Sequence, residues 1–503
     1  MKTPLAKSAF LAMYAFILSG CISLEIDNPN NPNQAEVASN PAYIEKTTSE
    51  LVNLWFQTTH SYNSPALGFW VAADAGTLAW GTAGSWVFGQ EPREAFNNEK
   101  DYAYSYVNHM YYQNLYSILN KANSILGFLE NTDQPILINS RDESPMVMAV
   151  AYFAQGLALG YLGLVYDRAF VVTHNTDIEA VVQFSPYSNL VSAAVSSFDQ
   201  AIAVCSENDF IIPEVWVPLE VTLTSSNFAK LASSFTARVL AYSPRNIEQN
   251  NALDWQVILD YASNGIDYDF SPIADDEKWY SLYHTYANYI GWGQADMRIV
   301  NMLDPRMPSR WPGADGFNWI LENVGEPISD INDTNILDRR IVTDFMPLSS
   351  CSFNPERGYY FFSNYRFKRR DMYLSTKHEP CPDFYTTEND LIRAEALLHL
   401  NRLSEAKEII DNGTRVTRGG LPAVNLNKQD ISDAIFYERN IELYCSGFGI
   451  EFFAMRKANK LQVYSFLHLP IPGAELEILG MPYYSFGAEQ GVPGVDVSVG
   501  GWF

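Results

Sequence analysis

Apolar residues recur at three- and four-residue intervals wherever the chain is strongly patterned, and the elements this spacing predicts are helices. Leu115, Ile118, Leu119, Ala122, Ile125, Leu126 and Leu129 fall on one face of a helix within 111–129. From 147 to 166 the chain is apolar almost all round and carries Ala151, Ala154, Ala158, Gly160 and Gly163. Such small residues let neighbouring helices approach closely, so this helix is expected inside the body. Segments 190–204, 228–241 and 255–265 continue the series, the last ending on Gly265, which suits a left-handed C-cap. Helical periodicity then fails over 267–325 and 326–385, which are rich in Trp, Tyr, Pro, Asp and Asn. Loops of that length in a compact protein carry function or partner surfaces.

Periodicity returns in Glu388–Asp411 as a helical hairpin. Thr387 is placed to cap its first helix with Asp390 in the capping-box position, and Leu391, Ala394, Leu398 and Leu403 mark the packing side. Asn401 suits a left-handed turn, Ser404 the second cap, and Ala406, Ile409 and Ile410 the returning face. The pair is tetratricopeptide-like, but a strict period of about 34 residues is absent. The expected fold is mainly α: irregular tetratricopeptide-like helix pairs forming a scaffold, with long loop-rich insertions carrying the ligand site.

The N-terminus follows another rule. Lys2 and Lys7 precede an apolar run from Ala9 to Leu18, roughly half of the ~20 residues that a membrane-spanning helix needs. It ends in Leu18-Ser19-Gly20-Cys21, the pattern that a bacterial lipoprotein signal peptidase cuts before the cysteine. The expected organisation is a signal peptide over 1–20, a lipidated Cys21, a flexible tether over 21–41 broken by Pro29, Pro32 and Pro41, and one body over 42–503. Aromatic loop regions lie near 66–100 and 267–385 of that body. Fully extended, the ~20 tether residues reach up to ~60 Å.

At 47% hydrophobic and 18% charged, the 503 residues can bury a substantial core. A net charge of −25 repels a phosphate backbone and argues against nucleic acid. Cys205, Cys351, Cys381 and Cys445 match no metal-ligand spacing; they suit free buried thiols or bridges, with Cys351–Cys381 the best candidate pair. The seven histidines include no H-E-x-x-H arrangement, and no G-x-S-x-G elbow or Walker loop occurs. Asp275-Asp276-Glu277 diverge in direction as neighbours do and read as a solvated turn. Asp330-x-Asn332-x-Thr334 begins like a calcium loop, but Asn335 stands where the glycine belongs and Ile341 at the closing glutamate. No metal and no cofactor are assigned.

Binding chemistry points to aromatics, 14% of the chain. The stretch 69–86 sets Trp70, Trp80 and Trp86 among glycines, whose backbone is poor core material yet lets a ring stand out on a loop. A sugar offers an apolar C–H face and a rim of hydroxyls, which suits a flat ring beside polar side chains. The candidate ligand residues are therefore Trp80 and Trp86 with Asp74 and Arg93, and Thr77, Asn97 and Asn98 stand nearby. Trp279, Tyr280, Tyr283, Tyr286, Tyr289 and Trp292 read as a helical core stripe, except that Trp292, between Gly291 and Gly293, joins the candidates. Arg366, Lys368, Arg369 and Arg370 form the dense basic run. Sulfate or uronate groups suit it, but a solvated loop paired to nearby acids is the stronger expectation.

The order of blocks resembles the RagB/SusD family. Leu391-Ile-Arg-Ala-Glu-Ala-Leu-Leu398 is similar to the family's repeat-opening helix, and Arg415–Gly420 to the turn behind it. Glu438-Arg439-Asn440-Ile441-Glu442-Leu443, then Gly447, Phe452-Phe453 and Arg456, resemble its ER-x-x-EL…G…F…R block; Leu469-Pro470-Ile471-Pro472 with Glu475-Leu476 resembles its closing motif. Ala151-Tyr152-Phe153 with Leu162–Asp167 resembles an earlier helix, and Asp296-Met297-Arg298, Asp304-Pro305, Arg357-Gly358-Tyr359 and Ser363-Asn364-Tyr365 resemble a divergent branch. Ser446-Gly447, Gly449 and Ala454 depart from the family pattern. The resemblance implies a non-enzymatic, lipid-anchored outer-membrane protein facing the cell surface. It would bind an oligosaccharide or related nutrient, pass it to a TonB-dependent transporter and act as its lid. A glycan-active enzyme would need a convergent carboxylate pair, and a protein-binding helical-repeat scaffold would leave the glycine-framed tryptophans unexplained. Because lipid attachment needs the Cys21 thiol, Cys21→Ala is expected to leave the protein soluble or stalled with its signal retained; a mature variant still firmly membrane-bound on fractionation would refute the anchor.

Overall fold

The computed structural model describes residues 40–78, 80–132, 134–177, 183–352, 354–359, 362–489 and 497–502, so the expected signal peptide, Cys21 and nearly all of the expected tether lie outside it. The first helix, α1 (Pro41–His60), starts one residue earlier than the expected boundary. Proline's fixed φ suits the first turn, and the Asn40 side chain caps it by accepting from the Ala42 N–H at 3.0 Å. The helices predicted from periodicity follow as α2 (Tyr106–Glu130), α3 (Ser144–Val165), α4 (Tyr187–Glu207), α5 (Ser225–Tyr242) and α6 (Trp255–Ser263). Helix α3 is long and apolar enough to cross a membrane by composition, yet it is a core helix packed against α1, α2, α4 and α5. Its small-residue face works as expected: a Cβ on Gly160 would come within 2.8 Å of Val239 on α5. Gly265 corrects the sequence reading, because it does not take the left-handed conformation. A Cβ there would lie 2.4 Å from Ser234 Oγ and 2.5 Å from Asn389 Oδ1, so close packing and not a cap requires glycine.

The insertion between α6 and the hairpin contains short helices, among them α7 (Leu282–Asn288) and α8 (Asp371–Thr376). Two antiparallel ribbons pin it: β1 (Gly76–Leu78) pairs with β2 (Gly293–Ala295), and β3 (Phe345–Pro347) with β4 (Tyr365–Phe367). The hairpin is α9 (Thr386–His399) and α10 (Leu403–Asn412), with Asn401 in the predicted left-handed turn at φ +59°. Its caps differ from expectation. Asp269, not Thr387, accepts the first N–H, from Thr386 at 2.8 Å, and Arg402, not Ser404, sits at the second N-cap. The C-terminal helices α11 (Lys428–Ile441) and α12 (Ile450–Lys457) pack behind it.

Charged groups bind these layers from inside. Arg238 on α5 forks onto Glu388 of α9 (Nε 2.8 Å, Nη2 2.6 Å), reaches Asp383 with Nη1 at 2.6 Å and donates to the Tyr161 hydroxyl of α3. Arg439 and Lys457 converge on Glu395 at 2.7 and 2.6 Å. Arg340 is enclosed by Asp338, Glu438 and Glu442. Two arginines cap helix ends instead: Arg456 donates to Leu164 O and Tyr242 O, and Arg245 to Gly163 O, carbonyls in the last turns of α3 and α5. Cys205, Cys351, Cys381 and Cys445 are all free, so the candidate Cys351–Cys381 bridge does not form.

Glu451 is enclosed at 1% exposure and accepts the Cys445 N–H at 2.8 Å with one oxygen while the other has no partner. Burial pushes its carboxyl up to about 7 from an ordinary 4.5. With the folded value above the unfolded one, its contribution to stability is fully present below pH ~4.5 and is lost as the pH rises through ~7. Glu451→Gln is expected to match the wild type in denaturant melts below pH 5 and to exceed it at pH 8 by on the order of 3 kcal/mol; a pH-independent difference would refute the reading.

Candidate functional site

The β1–β2 ribbon brings the two glycine-framed aromatic loops together. Trp80 lies just beyond Leu78 and Trp292 just before Gly293, partners in the ribbon. Trp80 is 67% exposed, yet it is oriented, because its Nε1 donates to Gly291 O at 3.2 Å. Trp292 packs on Tyr286 and Tyr289 with ring centroids 4.9 and 4.8 Å apart, and Tyr286 stacks on Tyr62 at 5.1 Å. Gly81 turns the chain at φ +67°, and a Cβ there would fall 2.4 Å from Trp86, so the turn and the half-buried Trp86 ring share one space. The Arg357 guanidinium lies 5.0 Å from that ring's centroid. Tyr102, Tyr104 and Tyr106 extend the series edge to face at 5.5 and 6.4 Å. Burial, then the neighbouring Tyr62, Tyr104 and Tyr286 phenols, raise Tyr106 above its ordinary pKa, which places it against the same belt.

Asp74 and Arg93, expected beside the ligand, face inward. They are 4% and 5% exposed and pair with each other at 2.8 Å. Asp74 also accepts from Gln462 at 3.0 Å and from Trp502 Nε1 at 2.6 Å, while its backbone carbonyl takes Arg298 Nε at 2.9 Å. Arg93 further donates to Ser465 Oγ at 3.1 Å. The two side chains hold the aromatic loop from beneath; their polarity is consumed within the body. Thr77 and Asn98 are likewise buried, whereas Asn97 is exposed. Trp70 is core, as are Trp279 and Tyr283 of the predicted stripe, whereas Tyr286, Tyr289 and Trp292 of the same stripe join the belt. Tyr62, Tyr102, Tyr104 and Tyr106 were not legible as site residues, since no glycine or spacing sets them apart.

A Ser–His–Asp arrangement does occur: His60 Nδ1 lies 2.9 Å from Ser281 Oγ and Nε2 lies 3.2 Å from Asp383 Oδ1. It is sealed, with none of the three more than 1% exposed. Ser281 Oγ accepts the His284 N–H at the start of α7, and Asp383, despite burial, is held below its ordinary pKa by Arg238 and His60. A nucleophile needs substrate access, so this is a structural tie between α1, α7 and the α9 approach. Asp275 accepts the Glu277, Lys278 and Trp279 N–H groups, the turn expected of that triplet. No group of three or more His, Cys, Asp or Glu suited to a metal occurs among the described residues. A groove of about 1050 Å³ lies away from the belt between α4, α5, α6 and α9 and carries the pairs Lys230–Asp267 and Arg393–Asp390.

No protein-family model matches the chain, and no curated protein does. Solved structures do. A SusD superfamily protein from Parabacteroides distasonis ATCC 8503 superimposes with a TM-score of 0.59 at 12% identity, covering 86% of this chain and 97% of that one. One from Bacteroides fragilis gives 0.57 at 15% identity over 87% and 98%. A SusD-like carbohydrate binding protein from Bacteroides fragilis NCTC 9343 gives 0.56 at 12% identity over 83% and 86%. With helix pairs behind and long pinned insertions in front, the chain has the SusD fold.

Proposed function

We propose that this protein binds an oligosaccharide or related nutrient on the aromatic belt and, anchored by lipid at Cys21 on the outer-membrane surface, passes it to a TonB-dependent transporter as its lid. The observation that carries the reading is Trp80, 67% exposed and fixed against Gly291 beside Trp292. Its N–H is already used, so what it offers outward is a flat apolar face, which suits the C–H face of a sugar ring. The half-exposed tyrosines of the belt add hydroxyls for the sugar's rim. A neighbour in the same fold described as a carbohydrate binding protein supports the same chemistry. The sealed serine gives the enzyme alternative no support. For the transporter, the faces we assign are those of α2 and of the α9–α10 hairpin, and gentle detergent extraction from the native host is expected to co-purify a large β-barrel protein.

A glycan array identifies the ligand, and calorimetry then tests the belt. Trp80→Ala and Trp292→Ala are each expected to cost about 1–3 kcal/mol of binding, roughly 5- to 150-fold, with unchanged melting temperature. Trp70→Ala, a core substitution, should instead cost roughly 3–5 kcal/mol of stability. Undiminished affinity in a stable Trp80→Ala/Trp292→Ala double variant would overturn the assignment.

A further inference from the structure

The basic run near 366–370 is divided by the structure. Arg366 forks onto Asp371 at 2.7 and 2.8 Å, and Arg369 reaches Glu442 at 3.0 Å, which satisfies the expectation of paired loop charges. Arg370 meets no carboxylate within ion-pair distance among the described residues. Its Nη2 donates to the Tyr385 hydroxyl, and its Nε is shielded from solvent with no acceptor. Arg369 and Arg370 both lie over the Tyr385 ring, at 5.2 and 5.7 Å from its centroid. The three residues line a cavity of about 480 Å³ together with Ser271, Asp269 and Glu220. Asp269 is committed to α9, accepting from Thr386 N and Oγ1 at 2.8 and 2.9 Å, and Glu220 is exposed.

We propose that this cavity is an oxyanion site in which Arg370 binds a sulfate or carboxylate group. A half-buried guanidinium that lines a cavity without a carboxylate partner leaves its charge for an anion to neutralise. With Nε shielded, the donors left for an oxygen of such a group are the N–H groups of Nη1 and Nη2, and a hydrogen bond from a guanidinium to an anion is charge-assisted. Arg369 shares its charge with Glu442 and so adds attraction but no free fork; the Ser271 hydroxyl stands by as a further donor. Glu220 and the net charge of −25 oppose this, which favours a small group that enters the cavity over an extended polyanion lying on the surface. The site is separate from the aromatic belt and stands whether or not the belt binds sugar.

The test is a titration of the full mature chain with sodium sulfate, sodium glucuronate and glucose 6-sulfate, at ionic strength held constant with sodium chloride, read by thermal shift and calorimetry. Saturable binding of at least one anion is expected, weakened tenfold or more in Arg370→Gln and unchanged in Arg402→Gln, which removes an exposed arginine paired to Glu405. Should Arg370→Gln fail to fold, Ser271→Leu fills the cavity and is expected to give the same loss. Sulfate alone would assign a free inorganic anion, glucose 6-sulfate a sulfated sugar, and glucuronate a carboxylate. A non-saturating rise in melting temperature, equal in wild type and variants, is the general effect of an excluded salt and means an adventitious ion only, which overturns the proposal. So does saturable binding that survives both Arg370→Gln and Ser271→Leu.

Discussion

Four layers of the body meet at one guanidinium. Arg238 leaves α5, crosses to Tyr161 on α3, grips Glu388 on α9 and, through Asp383, reaches His60 at the end of α1. Enclosing a positive charge with two carboxylates in a site about 1% exposed is favourable only while all three are present. Removing one partner leaves uncompensated charge, which typically costs about 3–5 kcal/mol. The carboxylates are not equivalent: Asp383 is held below its ordinary pKa by Arg238 and His60, whereas burial keeps Glu388 above its own. The hydrophobic surfaces bring these helices together without direction, and the ion pairs fix which faces meet.

The same logic explains what was legible in the sequence. Helices α2 to α5 announce themselves because one face of each is apolar at helical spacing, a local property. Their caps and ties are not local. The N–H that Thr387 was expected to help cap is served by Asp269, 117 residues away from Thr386, and no spacing rule reaches that far. The motifs that resemble the RagB/SusD pattern turn out to hold much of the internal charge: Glu395 lies in the LIRAEALL helix, Glu438, Arg439 and Glu442 in the ER-x-x-EL block, Arg456 further on and Arg298 earlier in the chain. Those residues were recognisable as a pattern before their partners were known.

The belt was half visible for a related reason. Glycine framing singled out Trp80 and Trp292 because flexible backbone around a large ring makes poor core. The pairing of Gly76–Leu78 with Gly293–Ala295, which makes neighbours of rings more than 200 positions apart, leaves no trace in either segment. Asp74 and Arg93 show the converse. A polar side chain near a tryptophan suits a ligand or the underside of a loop equally well, and only the positions of Gln462, Ser465 and Trp502, near the other end of the chain, decide between them.

Helix α1 runs from Pro41 to His60, 20 residues, and such a helix is ~30 Å long. Tyr62 of the belt follows immediately after its C-terminal end, while the residues leading back to Cys21 join its N-terminal end. Under the proposed function the helix would stand between the lipid anchor and the aromatic belt. A substitution that bends or frays it would change the stand-off height of the belt without touching a ring, so altered capture by intact cells need not mean altered affinity in solution.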